Sequence, residues 1–377
     1  MRIWRNGAFA LVVVLTAAHA PLYAQHVPAL RQGREQGTQF DPTPLKPHEG
    51  DFTVPNFRFN SGETLPELNL HYMTFGAPQR DASGRVTNAV LILHGTGGSL
   101  RQFLVQHFAG VLFEPGQLLD VTRYYIILPD SIGHGHSSKP SDGRHARFPH
   151  YDYDDMVRAQ YLLVSMGLHV NHLRLVMGTS MGCMHSWLWG EDYQDFMDGL
   201  MPLACLPVPI AGRNRMVRKM IMDSIVEDPE WNNGEYKTQP RGLRSALQVM
   251  MIMTNSAAQL QKEYPNAAQA DKYLEDSLRR RVATADANDL LYAVDASRDY
   301  DPSPNLEKIR ANVMFVNSAD DFVNPPSLHI AEREIKHVKS GKFVLIPISE
   351  DTHGHSTHTW AAAWKQYLAE LLESLPH

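Results

Sequence analysis

One nine-residue stretch constrains the chain more than any other: Val176-Met177-Gly178-Thr179-Ser180-Met181-Gly182-Cys183-Met184. The apolar run Leu173 to Met177 reads as a short buried strand, and Gly182 to Trp189 reads as a helix. A serine between two such elements, in Gly-x-Ser-x-Gly, sits on a sharp strand-to-helix turn whose backbone geometry most residues resist. Gly178 and Gly182 carry no Cβ, so strand and helix can close in on either side. The turn pushes the Ser180 hydroxyl out of the sheet and leaves the first N–H groups of the helix facing whatever binds there. The five-residue pattern alone is weak, because Gly and Ser abound in turns. The strand before it and the helix after it give it weight.

The rest of the chain repeats the strand–helix alternation. Phe52 to Phe59 and Leu68 to Phe75 read as strands joined by the turn Asn60-Ser61-Gly62-Glu63, with a second turn at Asp81 to Arg85. Ala89 to Leu93 and Tyr124 to Leu128 are continuous apolar runs, as expected of strands covered on both faces. Asp154 to Met166 reads as a helix; Leu200 to Cys205, Val313 to Asn317 and Phe343 to Ile346 read as further strands. A last helix is expected over about Trp360 to Leu375. Such alternation predicts an α/β fold with a mostly parallel central sheet and helices on both faces. Between Cys205 and Val313 the strand signal stops, and Arg213 to Val226, Gly242 to Thr254, Ala270 to Arg281 and Asn288 to Asp295 look helical. An insertion there would sit as a helical lid over the strand ends. It holds Met250, Met251 and Met253, whose expected role is packing within the lid rather than lining a cleft.

The N-terminus has a different character. Arg2 and Arg5 precede the apolar run Ala8 to Ala18, and small residues follow. That order is the signature of a secretory signal, with cleavage expected after Ala24; the competing reading is a retained anchor. The run is too short to cross a bilayer, which needs roughly 20 apolar residues. The expected organisation is a signal peptide over 1–24, an irregular arm over 25–50, a core formed by 51–205 and 306–377, and the lid over 206–305. Secreted or periplasmic localisation follows. Export implies oxidation, yet Cys183 and Cys205 are the only cysteines. Two cysteines make no disulfide framework, and both are expected as buried small residues rather than as a bridge. The formal charge of −6 leaves no basic footprint, which argues against nucleic acid as a partner.

A serine hydroxyl is a poor nucleophile until a base takes its proton, and the base needs a third group to fix its tautomer. After a serine elbow the acid and then the histidine are expected, in that order along the chain. The acid should follow the strand ending at Asn317, where Asp320 and Asp321 are adjacent; Asp321, four residues before Pro325, is preferred, with Asp320 as alternative. Asp351 to His358 follows the last strand and offers three histidines. His355 is preferred because Gly354 lets the loop turn the imidazole toward the strand ends; His358 ranks second and His353 third. These histidines lack cysteine or paired carboxylate partners at zinc-ligand spacing, so no metal is expected. The developing oxyanion needs preset N–H donors. They are expected at Met181, just after the serine, and at Thr96 in the Gly-rich loop after Leu93, with Gly95 as alternative. That loop matches neither a dinucleotide nor a P-loop pattern, and no cofactor is expected.

Together these residues resemble the α/β-hydrolase superfamily and, within it, the homoserine O-acetyltransferase-like group, over roughly Phe52 to the C-terminus. The specific parts are Gly178 to Met184, the lid segment Asp228-Pro229-Glu230-Trp231-Asn232-Asn233-Gly234-Glu235-Tyr236, Pro240-Arg241-Gly242-Leu243 and the Asp321 to Pro326 run. The resemblance implies the α/β-hydrolase fold and a Ser180, Asp321, His355 triad. Acetyltransferases of this kind look like Gly-His-Asp around the histidine, whereas Ser356 follows His355 here. Their lid carries a Tyr-Arg-Ser type segment where this chain reads Met253-Thr254-Asn255-Ser256. A secreted serine esterase acting on a small, short-acyl ester through an acyl-Ser180 resolved by water is therefore expected. The alternative is an O-acyltransferase passing the group to an alcohol; export argues against it, since acetyl-CoA is a cytoplasmic donor. Ser180 excludes an Asp-nucleophile dehalogenase or epoxide hydrolase. The expected partners are a small-molecule ester and, for assembly, at most a second copy of the chain.

Overall fold

The computed structural model describes residues 38–376, so the expected signal peptide over 1–24 and the first half of the 25–50 arm, residues 25–37, lie outside the described residues. The described part of that arm runs along the Val105 region, with Phe40 buried and its N–H donated to the Leu104 carbonyl at 3.1 Å.

The strands are β1 His48–Arg58, β2 Thr64–Phe75, β3 Ala89–Leu93, β4 Tyr125–Pro129, β5 Leu173–Thr179, β6 Met197–Leu203, β7 Asn312–Ser318 and β8 Gly341–Ile346. They form one eight-stranded sheet in the order β1-β2-β4-β3-β5-β6-β7-β8. β1 and β2 pair antiparallel, as do β2 and β4, and every pairing from β4 to β8 is parallel. The helices are α1 Ala109–Leu112, α2 Tyr153–Leu162, α3 Met181–Asp192, α4 Gly212–Val226, α5 Arg241–Thr254, α6 Ala257–Glu263, α7 Ala267–Val282, α8 Ala287–Asp295, α9 Ile330–Glu334 and α10 Lys365–Ser374.

Strand β3 shows why the middle of the sheet is apolar on both sides. Leu91 and Leu93 join a core with Ile127, Val176, Trp187 and Phe315, while Val90 and Ile92 join another with Met177, Met201, Val316 and Trp364. Successive side chains of a strand point to opposite faces, so a strand covered twice must be apolar at every position. Each fully buried Leu, Val or Ile there contributes roughly 1.5–3 kcal/mol. β1 lies at the edge, and its burial alternates.

Helices α4 to α8 all lie between β6 and β7, with their own core of Ile225, Leu243, Leu247, Met251, Leu278 and Val294. The segment that carried the family resemblance braces this insertion. Asp228 accepts from the Gly242 N–H at 2.6 Å, Trp231 Nε1 donates to Asn288 Oδ1 at 2.8 Å, and Asn288 Nδ2 donates to the Gly234 carbonyl at 2.9 Å.

Several boundaries differ from expectation. β1 begins at His48, inside the expected arm, because its backbone finds partners along β2 as far as Thr74. The expected C-terminal helix starts only at Lys365; Gly354–Thr359 and Ala361–Ala363 form tight 3-10 turns before it. The helix expected to Met166 changes at Leu163 into a wider π turn.

Cys183 and Cys205 correct the sequence reading: they form a disulfide. The first turn of α3 passes the end of β6, bringing the two Cα atoms to 5.8 Å, within the span a disulfide needs. The bridge ties the helix that starts at Ser180 to the strand end where the insertion begins.

Candidate active site

Ser180 sits between β5 and α3 at φ 55°, ψ −109°, a backbone conformation that side-chain-bearing residues rarely occupy. Its surroundings hold it there. The Ser180 N–H donates to the Leu203 carbonyl at 2.9 Å, and its own carbonyl accepts from the Met184 N–H at 3.1 Å. A Cβ at Gly178 would lie 2.0 Å from the Gly182 carbonyl oxygen, and one at Gly182 the same distance from that of Leu93. Both contacts are to main chain, which cannot swing aside, so any larger residue would spread β5, α3 and β3 apart.

The structure brings Ser180, His355 and Asp321 together from three strand ends. His355 Nε2 lies 2.8 Å from Ser180 Oγ, and His355 Nδ1 lies 2.9 Å from Asp321 Oδ2. A carboxylate only accepts, so the ring proton sits on Nδ1 and Nε2 is left to accept from the serine hydroxyl. Asp321 is fully enclosed and takes three further bonds: from the Val323 N–H at 2.7 Å, the Asn324 N–H at 3.1 Å and Asn324 Nδ2 at 2.9 Å. Burial works to raise its carboxyl, but His355 and the Asn324 bonds outweigh this and hold it below the ordinary value.

The other candidates do different things. Asp320 accepts from the Ser318 hydroxyl and from the Gly354 N–H at 2.9 Å, bracing the histidine loop from β7. Gly354 has φ +62°, and a Cβ on it would press on the Ser256 N–H at 2.9 Å. His358 stands edge-on to His355 with ring centres 5.1 Å apart, pushed down to about 3 by burial and by His355 itself. His353 stacks on Trp360 at 3.8 Å.

Facing Ser180 is the loop after β3. His94 Nε2 accepts from the Ser131 N–H at 3.0 Å, so its proton sits on Nδ1 and is donated to the Gly95 carbonyl at 2.9 Å. Burial, with His134 nearby, pushes this ring down to about 3, so it stays neutral. The peptide is trans, so fixing the Gly95 carbonyl turns the Thr96 N–H to the opposite side. The Gly95 N–H is spent on Gln102 Oε1 at 3.1 Å. Thr96 N–H has no such partner among the described residues, and Met181 N–H is an orphan donor of the first helical turn. Both N–H groups belong to the segments that flank the serine.

The insertion reaches the same place. A Cβ at Gly97 would lie 3.2 Å from the Met250 methyl, and one turn later the Thr254 carbonyl accepts from the Ser356 hydroxyl at 3.1 Å. Met251 packs inside the insertion as expected of its methionines, and Met250 packs against the same core while its methyl also reaches Gly97 in the loop after β3. Sequence reasoning missed Gln102, Asn324 and the His94 tether. Asn324, three residues after Asp321, fits a local side-chain-to-backbone turn and could have been found; Gln102 follows no motif. Among the described residues no group of three or more His, Cys, Asp or Glu is arranged to hold a metal, and no helix is long and apolar enough to cross a membrane.

An enzyme built this way can pass an acyl group through a serine, and its relatives do related chemistry. Residues 88–347 match the family model for the alpha/beta hydrolase fold. The chain is 30% identical to a homoserine O-acetyltransferase of Pelobacter propionicus, covering 79% of this chain and 88% of that one. The fold is similar to a crystal structure of homoserine O-acetyltransferase from Bacillus anthracis, with TM-score 0.76, 20% identity and coverage of 87% and 98%. It is equally similar to an acetylester hydrolase from Corynebacterium glutamicum, with TM-score 0.75, 20% identity and coverage of 87% and 96%. The chain belongs to the α/β-hydrolase family, in its homoserine O-acetyltransferase-like group.

Proposed function

We propose that this enzyme is an exported serine esterase that hydrolyses small, short-acyl esters. The observation that carries the reading is the relay Asp321–His355–Ser180, with both bonds below 3 Å at a serine held in elbow geometry. Ser180 Oγ attacks the ester carbonyl carbon while His355 Nε2 takes its proton. The carbonyl oxygen, now negative, is held by the Thr96 and Met181 N–H groups. The carbon–oxygen bond to the alcohol breaks, and the alcohol leaves with the proton from His355. Water then attacks the acyl-Ser180, giving a proton to His355 and releasing the carboxylic acid. The proton returns to Ser180 Oγ. Asp321 stays ionised throughout and steadies the charged imidazole.

Two observations support water as the acceptor. Ser356 stands where an acetyltransferase of this group would carry an Asp, and its hydroxyl is occupied by the Thr254 carbonyl. It offers no charge to an amino-acid acceptor. The signal-like N-terminus and the Cys183–Cys205 disulfide support an oxidising compartment, secreted or periplasmic, away from cytoplasmic acetyl-CoA. The relatives named homoserine O-acetyltransferase favour a second reading, transfer of the acyl group to an alcohol.

One assay separates them. The protein and its Ser180→Ala variant are incubated with a short-chain aryl ester, and separately with acetyl-CoA and homoserine. Ester turnover that vanishes in the variant is expected. CoA release that requires homoserine would replace hydrolysis by transfer, and ester turnover surviving in Ser180→Ala would defeat the acyl-enzyme altogether.

A further inference from the structure

We propose that Gln102 is a positioning residue for acyl transfer: it staples the oxyanion loop to the serine turn, so that the Thr96 N–H and Ser180 Oγ keep their separation as charge develops. The proposal rests on the acyl-Ser180 reading. Gln102 lies in a 3-10 turn, Leu100–Phe103, and its one amide bridges two elements. Oε1 accepts the Gly95 N–H at 3.1 Å, and Nε2 donates to Thr179 Oγ1 at 2.8 Å. The amide orientation follows from its partners, because a backbone N–H can only donate.

Gly95 and Thr179 are the residues directly before Thr96 and Ser180. The clamp therefore acts on a distance that no strand pairing sets, since β3 ends at Leu93 and the loop beyond it leaves the sheet. The loop is shaped around the clamp. A Cβ at Gly98 would lie 2.2 Å from Gln102 Oε1, and one at Gly95 3.3 Å from Ser180 Cβ. Thr179 is fully buried, so its hydroxyl has little else to bond; its other partner, the Leu93 carbonyl, is 3.5 Å away.

Loss of the clamp should act on the transition state and not on substrate binding, because the ester carbonyl is neutral until attack. Misplacing a catalytic group by an ångström costs on the order of 100-fold. The test compares the wild type with Gln102→Met, Thr179→Val, Thr179→Ser and the double variant Gln102→Met/Thr179→Val. For each, kcat and KM on a short-chain aryl ester and the inhibition constant of an alkyl boronic acid, which forms a tetrahedral adduct on Ser180, are measured. Gln102→Met should lose roughly 10- to 100-fold in kcat, with KM nearly unchanged and boronate affinity falling by the same factor. Thr179→Val should lose less, Thr179→Ser should stay near wild type, and the double variant should be no worse than Gln102→Met alone, because both changes break one linkage. Should Gln102→Met fail to fold by circular dichroism, the Thr179→Val and Thr179→Ser pair decides on the same readouts. An undiminished kcat and boronate affinity in Gln102→Met, a loss confined to KM, or strictly additive effects in the double variant would overturn the proposal. Ser180→Ala run alongside keeps the readings apart: turnover surviving there defeats the acyl-enzyme, whereas a dead Ser180→Ala beside an unimpaired Gln102→Met defeats only the clamp.

Discussion

Asp320 and Asp321 are neighbours of identical chemistry, and main-chain direction alone gives them different work. Asp321 faces the His355 ring, while Asp320 holds the loop that carries it. Replacing Asp321 by Asn leaves the shape and removes the acceptor that keeps the proton on Nδ1. A loss of roughly 10³- to 10⁴-fold in kcat is expected, with KM little changed. Asp320→Asn keeps one oxygen for the Gly354 N–H and should lose no more than about tenfold, since it removes a charge from a brace rather than from the relay. Steady-state kinetics of the two variants checks this, and the reverse order would exchange their roles. The serine, an acid after β7 and a histidine after β8 were legible in the sequence because chain order along a parallel sheet dictates which strand ends meet. Choosing between adjacent acids, or among three histidines within six residues, depends on backbone angles such as φ +62° at Gly354, and the preference for His355 rested on that glycine. Gln102 was not legible, because a clamp between two loops leaves no periodic trace in either.

Helix α5 has two jobs that its sequence does not separate. Met251 fills the core of the insertion, and Met250 on the next face lies against Gly97 beside the serine. Thr254, one turn on, meets the histidine loop at Ser356. The end of α5 thus spans the two loops that flank Ser180 and roofs the space between them. Shortening the roof by Met250→Ala should raise kcat/KM for hexanoyl over acetyl aryl esters by about tenfold, the worth of one or two methylenes in an apolar pocket. An unchanged acyl-length profile would place the acyl group elsewhere. The insertion helices were legible from their apolar period, except the short α6, whose Ala-Gln-rich turn has too few apolar positions to show one. The disulfide was missed for a related reason: 22 residues of separation say nothing of a 5.8 Å approach that only the crossing of α3 over β6 creates.

Across the whole molecule, burial collects carboxyls that ordinary surfaces would leave ionised. Glu191, near the end of α3, is pushed up to about 8 by burial and by Asp192, against an opposing bond from Asn305. The fold therefore binds this proton more tightly than the unfolded chain does. By linkage, stability falls as pH rises from about 4.5 towards about 8. Glu191→Gln removes that fall, so the variant's Tm relative to wild type should improve between pH 5 and pH 8.5, by an amount worth at most a few kcal/mol. Thermal melts at the two pH values check it, and a Tm difference that does not change with pH would show that Glu191 ionises as it does in the unfolded chain.

The insertion between β6 and β7 also has a consequence for the order of folding. These strands pair directly, yet their parallel contact closes a loop of roughly a hundred residues, an entropic cost that must be met before any sheet contact rewards it. The β1–β2 hairpin needs no such closure, and β3 meets β5 across the shorter span from Val90 to Leu175. In chain order Ser180 precedes the β6–β7 closure, whereas the loops bearing Asp321 and His355 lie beyond it. A chain still being made carries its serine without a base, so the acyl-transferring machinery is silent until the final strands arrive.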